Sequence, residues 1–261
     1  MELSRLLERL KMDHLDVQLD SICEQAAARE LDYKSFLTEA LNAEWQGRYQ
    51  RGIETRLRQA RLPWVKTIEQ FDFDFQPSLD RRQVRELCGL SFVDRAHNVV
   101  ILGPPGVGKT HLAVALGVKA VDAGYSVQFV TLETLMTRLV KAKHENRLDR
   151  VLKQLGYPKV LIIDEISMVR ADVMEAIDIA LKINRNSQRP FGGVQVILFG
   201  DLYQLPPIVS RQEEKLYFSQ RYASPYFFSA DCLDMIDLEM IELRQVYRQD
   251  SRHFLRLLDA I

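Results

Sequence analysis

The chain has 261 residues, 47% of them apolar and 27% charged, with a formal net charge of −1. That balance allows one large domain, or one with a small accessory, and excludes global disorder and a globally basic nucleic-acid binder. No apolar run approaches the roughly 18–20 residues of a bilayer span, Met1–Lys11 has no apolar targeting core, and Cys23, Cys88 and Cys232 form no CxxC pair, so the reading is a reduced, cytoplasmic protein with no membrane partner.

Residues 1–66 read as helical. Leu3, Leu6, Leu7 and Leu10 line one helix face. Leu15, Leu19, Ile22, Cys23 and Ala26 line a second. A third helix opens near Tyr33 and runs through Phe36, Leu37, Ala40 and Leu41 until Pro63 stops it. Its last part is basic: Arg48, Arg51, Arg56, Arg58, Arg61 and Lys66 face the single acid Glu54. Residues 67–97 read as a connector with a short helix near Arg81–Leu90, docked by the aromatics of Phe71-Asp72-Phe73-Asp74-Phe75.

From Asn98 the pattern changes. Val99–Leu102, Ser126–Thr131, Val160–Ile163 and Val194–Phe199 are short, β-branched-rich runs separated by helical patterns. Strands covered on both faces read this way, so residues 98–261 are predicted to form an α/β core with a parallel sheet flanked by helices. Tyr226, Phe227 and Phe228 read as core beside the last strand, with base stacking as the alternative. Phe254, Leu255, Leu257, Leu258 and Ile261 read as a docked terminal helix.

Gly103-Pro104-Pro105-Gly106-Val107-Gly108-Lys109-Thr110 matches GxxxxGK[ST] between a strand and a helix. Glycines let the backbone N–H groups curl around phosphates, and the helix N-terminus points at the same anion. Lys109 would reach the β- and γ-phosphates of ATP, and Thr110 would offer its hydroxyl to Mg²⁺. His111 follows, either at the nucleotide or packed in the helix start. A carboxylate at the end of a buried strand is costly unless something binds it. Asp164 is therefore the second Mg²⁺ ligand, and Glu165 the residue that orients the attacking water. Gln204, after the fourth strand, is either a γ-phosphate sensor or part of an ordinary turn before Pro206-Pro207.

The phrases Leu31–Leu37, Ala60–Pro63, Asn98–Ala115 and Gly124–Phe129 resemble the IstB-like helper ATPases of insertion sequences, relatives of DnaC within AAA+; the likeness covers residues 1–166. From about residue 160 the pattern differs. Asp164–Met168, Pro190–Gln195, Gly200–Pro207 and Val246–Asp250 resemble the first motor domain of Pif-type, RecD-like helicases. The two likenesses meet at the strand ending in Asp164. Together they imply a RecA/AAA+-like P-loop NTPase with residues 1–66 as a DNA-binding or oligomerisation region. They also imply Gln204 and Arg248 near the nucleotide, and DNA as partner, duplex favoured and single strand possible. Contacts would come from Arg48, Arg51, Arg56, Arg58 and Arg61, and from Lys141, Lys143, Arg147, Arg150 and Lys153, against the ordinary reading of solvated helix faces. A homo-oligomer formed with ATP on DNA, and a transposase partner, follow from the same likeness. The expected activity is a slow ATPase acting as a transposition helper. A helicase motor without its second domain, and a scaffold that binds ATP without turnover, are the rivals.

Overall fold

The structure is a computed structural model that describes residues 3–77, 79–95 and 97–244. Arg248 and the terminal helix expected over Phe254–Ile261 lie outside the described residues. The chain divides into two compact units, Met1–Arg56 and Leu57–Ile261.

In the first unit, α1 (Leu3–Arg9), α2 (Asp13–Ala28) and most of α3 (Tyr33–Ala60) follow the predicted periodicity. Leu7, Leu15 and Ala40 form its core, with Met12, Leu19 and Ile22 packed against them. The predicted α1 face is buried only at Leu7; Leu3, Leu6 and Leu10 are exposed, as are Leu37 and Leu41. Three helices with so few neighbours cannot cover more than one ridge each. Buried Glu44 ties them together, accepting from Leu15 N–H at 2.8 Å and from Arg48 Nε at 2.6 Å.

The second unit contains α4 (Arg81–Cys88), α5 (Ser91–Asp94), β1 (Asn98–Leu102), α6 (Lys109–Asp122), β2 (Val127–Thr131), α7 (Leu132–His144) and α8 (Leu148–Leu155). It continues with β3 (Val160–Asp164), α9 (Ala171–Arg185), β4 (Gln195–Gly200), α10 (Gln212–Arg221), α11 (Asp231–Asp234) and β5 (Leu238–Glu242). The strands form one five-stranded parallel sheet in the order β2-β3-β4-β1-β5. This is the predicted α/β fold. Strands β1, β3 and β4 are buried almost throughout, as uninterrupted apolar runs require. Strand β5 carries no such run. Among the described residues it is an edge strand paired with β1, and Glu239 and Glu242 interrupt its apolar residues.

At the meeting point of the two sequence patterns, β3 pairs with β2 on one side and β4 on the other. Leu135 and Leu155 from before it share one core with Met174 and Leu181 from after it. Packing there leaves an apolar groove of ≈ 440 Å³ lined by Leu139, Leu152, Val173 and Ile177. Of the three predicted core aromatics only Phe227 is buried. Phe228 is 48% exposed and stacks on Tyr226 with ring centroids 5.2 Å apart, because the short helical turn Phe227–Ser229 turns only its first side chain inward. Among the described residues, no helix is long and apolar enough to cross a membrane.

Candidate functional site

The carboxyl ends of β1, β3 and β4 converge at the phosphate loop, because β4 lies between the other two. Leu102 is in register with Gly200, and Asp164 with Phe199. Open parallel sheets bind their ligands at this edge. In the loop, Gly106 (φ 78°) and Gly108 (φ 99°) take left-handed backbone that other residues resist. Gly103 is needed for close approach: a β-carbon there would lie 2.1 Å from the carbonyl oxygen of Leu243. Leu243 is held in place by its own N–H, which donates to the Leu102 carbonyl at 2.9 Å. The Lys109 ammonium donates to the carbonyls of Gly103 and Pro104, each at 2.6 Å, so it lies across the mouth of the loop it serves.

Three carboxylates follow the strand ends near the loop, and two of them, Asp201 and Asp164, act on that lysine. Asp164 ends β3, and its Oδ1 accepts the Glu165 N–H at 2.8 Å. Burial pushes the Asp164 carboxyl up to about 6, and the Glu165 charge adds to the shift, while that N–H and Lys109 oppose it. Glu165 is exposed and holds a left-handed backbone (φ 61°), which costs a non-glycine residue about 1–3 kcal/mol. Asp201 is 3% exposed; its Oδ1 accepts the Tyr203 N–H at 3.0 Å. Burial lowers the Lys109 pKa, and Asp201 and then Asp164 act against that. Asp201 was not singled out from the sequence. The signal was present, since it follows buried β4 directly, as Asp164 closes β3.

The donor set fits Mg²⁺. Thr110 and Asp164 supply hard oxygens, and Mg²⁺ commonly takes one or two carboxylates and completes its shell with water and phosphate. An all-protein cage does not occur: among the described residues there is no group of three or more His, Cys, Asp or Glu able to hold a metal.

The raised Asp164 pKa has a stability consequence. The folded state holds this proton more tightly than the unfolded chain, where the ordinary value is 3.8. The contribution is therefore fully present below about pH 4 and is lost as pH rises through about 6. Asp164→Asn is expected to raise the thermal midpoint of the nucleotide-free protein at pH 7, with the gap over wild type closing towards pH 4. A gap independent of pH would show that Asp164 ionises normally.

The connector fastens this loop from outside. Buried Gln76 donates its side-chain amide to the Val107 carbonyl at 3.0 Å. The Phe71 ring lies under Gly108 and 5.3 Å from the His111 ring. Glu69 pairs with Lys119 of α6 at 2.8 Å. His111 Nε2 donates to the Thr67 carbonyl at 3.0 Å, and burial lowers its pKa. The His111 ring thus joins the connector contact through Nε2. Gln204 is exposed, and its backbone N–H donates to the Asp201 carbonyl at 3.2 Å.

The basic residues separate by their bonding. Arg48 bonds to Glu44 and to the Lys11 carbonyl at 2.6 Å, so its guanidinium clamps elements within the first unit. Arg51 lies 3.7 Å from Asp13. Arg56 has its Nε buried with no hydrogen-bond partner among the described residues. Arg58, Arg61, Lys141, Lys143 and Arg147 are exposed, Arg147 paired with Glu145.

Residues 5–187 match the IstB-like ATP binding protein family. The chain belongs to that family. An IS21 insertion-sequence ATP-binding protein of Pseudomonas aeruginosa is 59% identical over 188 residues, 72% of this chain and 71% of the relative. An IS5376 insertion-sequence ATP-binding protein of Geobacillus stearothermophilus is 40% identical, over 63% of this chain and 65% of its own length. Residues 123–257 match a second family, the PIF1-like helicases, and the chain belongs to that family as well. The two matches overlap across β3, where the two sequence patterns were seen to meet. A solved Bacteroides Pif1 bound to single-stranded DNA is 28% identical, with a TM-score of 0.53, covering 69% of this chain and 45% of the helicase. The chain thus spans under half the length of that helicase. This IstB-like, ATP-binding chain thus has a P-loop NTPase-like fold.

Proposed function

We propose that this IstB-like chain is a DNA-associated ATPase that hydrolyses ATP with Mg²⁺ and acts as a transposition helper. The observation that carries the reading is the meeting of Lys109, Asp164, Glu165 and Asp201 at the carboxyl edge of the sheet. Loop amides and Lys109 hold the phosphates. Thr110 and Asp164 hold Mg²⁺, which when bound polarises phosphoryl oxygens and neutralises charge on them. Glu165, exposed beside Asp164, orients water, and Gln204 reports the γ-phosphate. Asp201 keeps Lys109 charged in its half-buried position.

Residues 1–66 serve DNA binding and assembly, 67–97 connect, and 98–261 form the motor. Subunits assemble on duplex with ATP and release on hydrolysis, and a transposase is the partner, as the insertion-sequence relatives imply. Turnover is slow in isolation, since an arginine supplied from elsewhere is worth about 10³–10⁵ in such sites.

Steady-state phosphate release, with and without duplex and single-stranded DNA, tests this. Stimulation by duplex is expected. The match to PIF1-like helicases over residues 123–257 favours a second reading, a partial helicase motor, which predicts stimulation by single strands instead. ATP binding without phosphate release under any condition would leave a nucleotide-gated scaffold.

A further inference from the structure

Two basic stretches far apart in sequence meet in the second unit. Arg61, Arg138, Lys141, Arg147 and Arg150 line one recess of ≈ 330 Å³ between the end of α3 and helices α7 and α8. Arg61 follows α3 in a left-handed conformation (φ 54°). Arg138 and Lys141 are three residues apart on α7, and Arg147 and Arg150 are three apart at the start of α8, so each pair shares a helix face. Glu145 is the one carboxylate among the described residues lining the recess, and it is paired with Arg147. Arg61, Arg138, Lys141 and Arg150 have no ion-pair partner among the described residues. Arg138 is half-buried; burial lowers its pKa and the charge of Arg61 lowers it further. Crowded, partly desolvated cations are costly unless an anion neutralises them. No residue of the phosphate loop lines the recess.

We propose that this recess is a phosphoryl-oxyanion site separate from the phosphate loop, centred on Arg138. Guanidinium forks bind phosphoryl oxygens in paired hydrogen bonds, and four unpaired cations suit a doubly charged or repeating phosphate better than a carboxylate. Its phosphate comes from a polynucleotide backbone or from a free phosphorylated compound. The polynucleotide source rests on the DNA contact proposed above; the site itself does not.

The test uses the full chain as wild type, Arg138→Gln, and the double variant Arg61→Gln/Arg150→Gln, whose exposed positions leave folding intact. One arm measures affinity for a fluorescent duplex across a salt series. The other measures the rise in unfolding midpoint caused by inorganic tripolyphosphate, in a Lys109→Ala background that disables the phosphate loop. Loss of several-fold in duplex affinity, with the slope of log affinity against log salt reduced by about one per cation removed, supports a backbone-phosphate site. Unchanged duplex binding with the tripolyphosphate effect abolished supports a site for free phosphates. If wild type binds no duplex, the DNA reading fails and the tripolyphosphate arm alone decides the recess. Both variants behaving as wild type in both arms overturns the proposal.

Discussion

Glu165→Gln is expected to lower ATP turnover by about 10²–10⁴, the usual worth of a positioned base, while ATP still raises the unfolding midpoint. The residue follows Asp164 on a left-handed turn, exposed at the edge where the phosphate loop opens. Its backbone N–H is taken by Asp164, whereas its carboxylate is oriented towards solvent rather than the core. Such a group can act on water and contributes little to folding. Its charge also helps keep the Asp164 pKa high. The glutamine variant should therefore shift the pH dependence of Mg·ATP binding to lower pH, a change that a merely structural residue would not produce. Lys109→Ala should instead lose both turnover and the nucleotide-dependent midpoint, because that ammonium is the cation of the loop. Saturating ligand at one hundred times its dissociation constant stabilises by about 2.7 kcal/mol, so the loss is readable by thermal melts. Full turnover in Glu165→Gln would remove Glu165 from the mechanism.

Gly103→Ala should be the most damaging single-methyl change at the site, at about 2–5 kcal/mol from backbone strain and overpacking together. The added carbon would meet a backbone oxygen 2.1 Å away, and with Leu243 tied to Leu102 through its N–H, relief requires turning the 243–244 peptide or shifting the strand. Gly124→Ala is the control. Gly124 also has positive φ (91°), but nothing lies within 4 Å of its would-be β-carbon. It should cost only the conformational strain, about 1 kcal/mol. Urea unfolding of the two variants separates close approach from strain. Equal losses would mean that contact with Leu243 is not what requires glycine at position 103.

Much of the site is legible in the residue string because its constraints are local. Glycines at 103, 106 and 108, a lysine and a threonine at fixed offsets, and an Asp-Glu pair after an apolar run each report backbone or solvation demands within a few residues. Continuous apolar runs likewise announce β1, β3 and β4, since burial on both faces confines polar residues to the strand ends, as at Asn98, Asp164 and Gln195. Strand β5 escapes that logic, because an edge strand interrupted by Glu239 and Glu242 has no distinctive run. The remaining features depend on which distant segments become neighbours. Strand order alone sets β4 beside β1 and brings Asp201 to Lys109. Leu243 approaches Gly103 only because β5 adds to β1. Gln76, an unremarked polar residue in the connector, becomes buried by donating to the phosphate loop. Arg61 and Arg138 share a recess although 77 positions apart in the chain. Local pattern records what a residue demands of its own backbone and solvent; which partner meets the demand is decided by packing across the whole sheet.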